Sequence, residues 1–233
     1  MTTRVAIHQP NFFPWLGYFD KIVRADIFIL LDDVQFPKTN GTWLNRVQLL
    51  ISGEARWVTA PVKRDYHGTL PINEMYFDEK VPWRDKFLKT LEGNYKKTEF
   101  YPENIEFVTG LIRNTDSNIG NYNKQAILLL VDYLGIDSTK IRFSSELNVQ
   151  STATQRIIDL VKLVDGDTYY CGGGASEYQE DELYAQQHVQ LEYQHYQHPE
   201  YRQKNSESFT KGLSVIDALF QVGKKATIEL LKA

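Results

Sequence analysis

The chain holds one cysteine, Cys171, among 233 residues. An intramolecular disulfide is therefore excluded, and a reducing compartment is the natural setting. Long apolar runs are missing too. The longest, Ala126 to Val131, falls far short of the roughly 20 residues of a spanning helix, so no membrane span is expected. No block of basic residues occurs and the formal net charge is −4, which disfavours DNA or another phosphate-backbone partner. Met1-Thr2-Thr3-Arg4 runs straight into a short apolar stretch ending on His8, unlike a secretory leader, so a cytoplasmic protein is expected. There is no internal repeat, no GxGxxG and no P-loop lysine. His195 and His198 have a spacing that suits a metal, but Pro199 argues against their sharing a helix face and no third ligand is evident, so no metal site is expected.

Aromatic side chains are plentiful, with 14 Tyr and 12 Phe. The length suits one α/β domain over residues 1–233, large enough to need neither disulfide nor metal for its core. Strands are expected at Val5 to His8, Asp26 to Leu31, Arg56 to Val62, Lys140 to Phe143, Thr168 to Cys171 and Val189 to Tyr193. Helical patterns fall between them: Trp15 to Arg24, three in succession over 82–135, Thr154 to Val164, one after Gly174, and a closing pair separated by Gly223. Alternating β and α segments point to a mostly parallel, Rossmann-like sheet with flanking helices, and the three successive helices to a helical insertion or cap.

Chemistry concentrates at the ends of the first two strands. His8-Gln9-Pro10-Asn11 follows the first, and Asp32-Asp33 ends the second. Ligands of open α/β sheets sit beyond that edge. A histidine there suits proton transfer near neutral pH, and a carboxylate from the next strand could orient it. Strand alternation turns Asp32 and Asp33 to opposite faces, so only one serves His8, with Asp33 taken as the orienting carboxylate, and the other is left to bind a substrate hydroxyl or cap the loop. Gln9 and Asn11 offer amides. Pro10 and Pro14 stiffen the loop. Trp15 and Tyr18 stand one turn apart and suit stacking on a base or a sugar, or packing as a lid.

Two further loops carry candidate contacts. Gln35 to Arg46 leaves the aspartate pair as a loop bearing Gln35, Lys38, Asn45 and Arg46, with Arg46 and Lys38 suited to a phosphate or carboxylate. Gly172-Gly173-Gly174 joins a strand to a helix whose start is marked by the capping-box spacing of Ser176 and Gln179. Glycines let a backbone approach a ligand closely, although a tight structural turn reads equally well. His198 and Tyr201 follow the final strand toward the same edge. Ser144 and Ser145 end another strand with hydroxyl donors, outside any G-x-S-x-G context.

His8-Gln9-Pro10-Asn11, Pro14-Trp15-Leu16-Gly17-Tyr18, Leu31-Asp32-Asp33-Val34-Gln35-Phe36 and Asn45-Arg46 together resemble the WbqC-like family. The likeness continues at Ser144 to Leu147, Tyr170 to Gly173, His198 to Tyr201 and Leu213 to Phe220, covering nearly the whole chain. Members of the family typically accompany enzymes of bacterial O-antigen and other surface polysaccharides. The resemblance implies work on a nucleotide-linked amino sugar, with an activated acyl or aminoacyl donor, glycyl-type included, and no fixed cofactor. The first βα loop and Asn45-Arg46 are also similar to HxGH nucleotidyltransferases, but Tyr18 stands where the second histidine belongs and the first is absent. That likeness would bring ATP with Mg²⁺. A third reading is a non-catalytic saccharide-binding protein. The oligomeric state is open.

Overall fold

The computed structural model describes residues 2–38, 42–172, 181–204 and 206–232. Gly173 and Gly174, and the helix start expected at Ser176, lie outside them. Five strands form one parallel sheet: β1 (Arg4–His8), β2 (Ile27–Leu30), β5 (Ile141–Phe143), β6 (Thr168–Cys171) and β7 (Gln190–Tyr193). Their order is β5-β2-β1-β6-β7. The progression of strands reverses between β1 and β6, which makes that gap the topological switch point where open α/β sheets bind ligands. In register, His8 lies opposite Leu30, and Ala6 opposite Tyr170.

The alternation of strand side chains sorts the core onto two faces. Ala6, Phe28, Leu30 and Tyr170 pack beneath α1 (Leu16–Arg24), together with α2 (Trp83–Tyr95), α3 (Tyr101–Ile112), α4 (Ile119–Tyr133) and α7 (Val215–Leu230). Val5, Ile7, Ile29, Tyr169 and Cys171 pack on the other face against α5 (Ala153–Leu163) and Tyr184 of α6 (Asp181–Gln186). The helices of segment 82–135 thus share one continuous apolar cluster with the sheet. Gly223 interrupts α7 with φ +80°, and a Cβ there would collide with the Phe100 ring. Only glycine suits both demands. Among the described residues, no helix is long and apolar enough to cross a membrane.

One expected strand is corrected. Residues 54–59 do not join the parallel sheet. They form β4 (Glu54–Thr59), paired antiparallel with β3 (Arg46–Ile51) in a separate hairpin. Residues 46–51, expected inside a loop, are therefore a strand. The turn is Ser52-Gly53, both with positive φ, the conformation that two-residue hairpins require. Val47, Leu49 and Leu50 are buried beneath it, which anchors the pair to the core.

Candidate active site

The first loop is built to hold one shape. Phe13 is buried with φ +46°, an uncommon conformation for a residue with a side chain. Its neighbours are fixed from four directions. The Phe12 amide donates to the Trp43 carbonyl, the Asn123 amide donates to the carbonyls of Pro10 and Leu44, and the Ser214 hydroxyl donates to the Phe13 carbonyl. The Val215 amide donates to the Pro14 carbonyl. Strain of this kind persists only where the surroundings over-determine it.

That loop and the switch point enclose a cleft of about 500 Å³ lined by Ile7, His8, Trp15, Gly17, Tyr18, Lys21, Tyr169, Gly172, Gln194, His195 and Tyr196. His8 enters it from the end of β1. Its Nδ1 lies 3.0 Å from the Gln9 carbonyl oxygen, to which the Tyr18 hydroxyl also donates at 3.0 Å. A carbonyl only accepts, so Nδ1 carries the proton and Nε2 is left as the lone pair. Burial, with Lys21 adding to it, lowers the His8 pKa to about 3 against the pull of the Gln9 carbonyl. The ring is neutral at any physiological pH. Tyr18 and Trp15 meet it edge-on, with centroids 4.8 and 6.1 Å away. Burial also raises the Tyr18 hydroxyl well above its ordinary range.

Lys21 is the residue that sequence reasoning missed. It is 4% exposed, and burial lowers its amine to a pKa of about 8. Gly17 and Lys21 stand four apart on α1, on the face that Tyr18 also shares, so one stripe of the helix looks into the cleft. A lysine within that buried stripe was the available signal. Two glycines permit the geometry. A Cβ on Gly17 would lie 2.5 Å from Trp15 Nε1 and 2.7 Å from the Tyr196 ring, and one on Gly172 would lie 3.3 Å from Lys21 Nζ. His195, which the sequence suggests only as a metal ligand, and Tyr196 come from the segment after β7, where His198 and Tyr201 are the residues expected to line the site.

The acidic pair sits elsewhere. Asp32 is fully buried, and its carboxylate receives the Lys124 ammonium at 2.7 Å, the Ser145 amide at 3.0 Å and the Ser145 hydroxyl at 2.9 Å. Burial works to raise this carboxyl, yet Lys124 and Ser145 hold it below the usual carboxylate range. Asp33 turns the other way, toward Arg156 of α5 at 2.6 Å. The Ser144 hydroxyl lies between them, 3.2 Å from Asp32 and 2.6 Å from Asp33. The two carboxylates thus face opposite sides of the sheet edge, as alternation requires. His8 and Asp33 do not hydrogen-bond: the histidine is oriented by a backbone carbonyl, and the aspartate belongs to a paired network. Asp32 is held by Lys124 and Ser145 and is fully buried, out of reach of a sugar hydroxyl.

The remaining candidates scatter. Asn11 is buried with its Nδ2 unpartnered among the described residues. Gln35 and Lys38 are exposed and outside the cleft lining, and Gln35 bridges to Pro71. Asn45 donates to the Ala60 carbonyl at 2.8 Å, fastening the base of the hairpin. Arg46 stacks its guanidinium 4.1 Å above Trp57. That ring continues through Trp43 to Trp15, with centroid separations of 4.7 and 5.0 Å, so an indole ladder runs from the hairpin into the cleft. Tyr201 donates to the buried Asp217 at 2.6 Å, away from the cleft. His198 lines a second cavity of about 590 Å³ with Arg4, Arg24 and Tyr170, sharing the wall Gln194 to Tyr196 with the first. Burial and Lys211 lower its pKa. Among the described residues no three His, Cys, Asp or Glu side chains gather as a metal site.

The sequence profile of the WbqC-like protein family matches residues 9–229. A Mycobacterium tuberculosis protein, the uncharacterized protein Rv1507c, is 28% identical over 225 residues, which is 96% of this chain and 95% of that one. No solved structure matches the chain.

Proposed function

The chain belongs to the WbqC-like protein family, and from that premise we propose that it is a transferase acting on a nucleotide-linked amino sugar of surface-polysaccharide (O-antigen) synthesis. It would join an acyl or aminoacyl group to the sugar amine. The observation that carries this reading is an imidazole whose Nδ1 is held by the Gln9 carbonyl, leaving the Nε2 lone pair, in an aromatic-walled cleft at the switch point of a parallel sheet.

The amine nitrogen attacks the carbonyl carbon of the activated donor. A C–N bond forms, the bond to the donor's carrier group breaks, and the proton shed by nitrogen passes to His8 Nε2 and on to the leaving group. The Gln9 carbonyl fixes the tautomer that makes this direction of transfer possible. Trp15, Tyr18 and Tyr196 offer ring faces and edges to sugar or base. The rigid first loop orients the reactants before chemistry begins, which lowers the entropic part of the barrier. Asp32 and Asp33 act at a distance here, tying the ends of β2 and β5 to α4 and α5.

Turnover of UDP- or dTDP-amino sugars with acyl-CoA or aminoacyl donors tests the reading. His8→Ala should keep the melting transition and lose about 10²-fold or more in rate. An unchanged rate in that variant removes His8 as the base. Calorimetric titration with ATP, acyl-CoA and nucleotide sugars separates the neighbouring chemistries: a response to ATP alone indicates nucleotidyl transfer, and a nucleotide sugar bound but never converted indicates a saccharide-binding protein.

A further inference from the structure

We infer that the Lys21 ammonium is an anion-binding point of the cleft, placed to take the diphosphate of the nucleotide-linked substrate. This assignment rests on the proposed nucleotide-sugar reading for its choice of anion. The geometry beneath it does not.

A cationic side chain taken out of water ordinarily has a carboxylate beside it, because isolated burial of a charge is costly. Lys21 has none. Among the described residues, no Asp or Glu oxygen lies within ion-pair distance of its Nζ, and no hydrogen-bond acceptor is met. The groups that face it are His8 from β1, Tyr18 from its own helix, Tyr169 and Cys171 from β6, and Gln194, His195 and Tyr196 from the segment after β7. Among the described residues the cleft lining contains no acid, and Lys21 is its one formal charge. The acid next in sequence, Asp20, is engaged by Arg24 and Gln194 on the side of the second cavity. Asp181 influences Cys171 and does not reach Lys21.

The absence of a Cβ at Gly172 leaves room beside the ammonium, on the side where β6 ends. A phosphoryl oxygen seated there would supply the counter-charge that the protein withholds. The same event bears on His8. Lys21 depresses the basicity of that imidazole, second only to burial. An anion that neutralises Lys21 lifts this pressure, so a bound substrate strengthens the base that serves it.

Titration calorimetry with UDP, inorganic pyrophosphate and uridine tests the assignment. UDP and pyrophosphate are expected to bind the wild-type protein at pH 7. Lys21→Met should weaken both by at least about tenfold and leave uridine as it was. A second measurement needs no variant. Near pH 8, UDP binding should take up protons, read from the difference between two buffers of unlike ionisation enthalpy, and affinity should fall as pH rises through about 8. Equal affinity of both proteins for UDP and pyrophosphate, no anion binding by the wild type, or no proton uptake each overturns the anion site. Lys21-dependent pyrophosphate binding without binding or conversion of any nucleotide sugar keeps the anion site and refutes the nucleotide-sugar reading. Conversion of a nucleotide sugar with the same KM in Lys21→Met does the reverse.

Discussion

Two groups of charges lie along the same carboxyl edge of one sheet and are treated in opposite ways. At the end of β2, Asp32 meets Lys124, Asp33 meets Arg156, and Ser144 and Ser145 fill the gaps. In the cleft beyond β1, Lys21 of α1 is nearly as deeply buried and meets no acid among the described residues. The first arrangement is complete without a ligand. The second is electrostatically incomplete, and that incompleteness costs the folded state. Sites that bind or react are the places where a fold tolerates such a deficit.

The comparison can be broken most sharply at the complete end. Lys124→Met leaves the Asp32 carboxylate buried without its cation and should lower stability by about 3 kcal/mol or more, read from urea unfolding. A change below about 1 kcal/mol would mean that Asp32 is satisfied by Ser145 and its neighbours alone.

At the incomplete end the sign inverts. The folded-state pKa of Lys21 is about 8 against an ordinary 10.5. Between those values the unfolded chain holds a proton that the folded chain has lost, so stability rises with pH across that window. Below pH 8 the cost is fully present, about 3 kcal/mol. Lys21→Met should therefore raise the melting temperature at pH 7 and flatten the rise between pH 8 and 10.5, as followed by thermal melts. A lysine serving only to hold the fold together would give a lower melting temperature.

The smallest effect belongs to the indole ladder. Trp57 is 38% exposed and stacks under Arg46. Trp57→Ala should cost about 1 kcal/mol in stability by denaturant titration. A larger loss would show that the hairpin depends on this ring for its attachment.

Much of this architecture is legible from residue order. Short apolar runs locate the central parallel strands, which are buried on both faces, and the period-3.6 patterns locate the large helices, each of which buries one stripe. His8 stands out because a titratable ring at a strand end is uncommon. The hairpin was obscured for a local reason: Arg46 to Ile51 follows a long polar loop, and its turn, Ser52-Gly53, is a weaker signal than the Asn-Gly or Asp-Gly pairs that mark most such hairpins. The partnership of His8 with Asp33 was a matter of direction. Both belong to neighbouring strand ends, yet His8 looks toward α1 and Asp33 toward α5. The true partners of the doublet, Lys124 and Arg156, are 92 and 123 residues away along the chain, and no local pattern reports contacts of that span. Lys21 escaped because attention fell on loops, while this cation lies inside a helix.

The hydrogen bond from Ser214 to the Phe13 carbonyl joins positions 201 residues apart. Residue 13 leaves the ribosome 201 residues ahead of residue 214. The first loop therefore waits through the synthesis of that whole stretch for the clasp that sets its backbone, and a nascent chain short of Ser214 has no finished cleft.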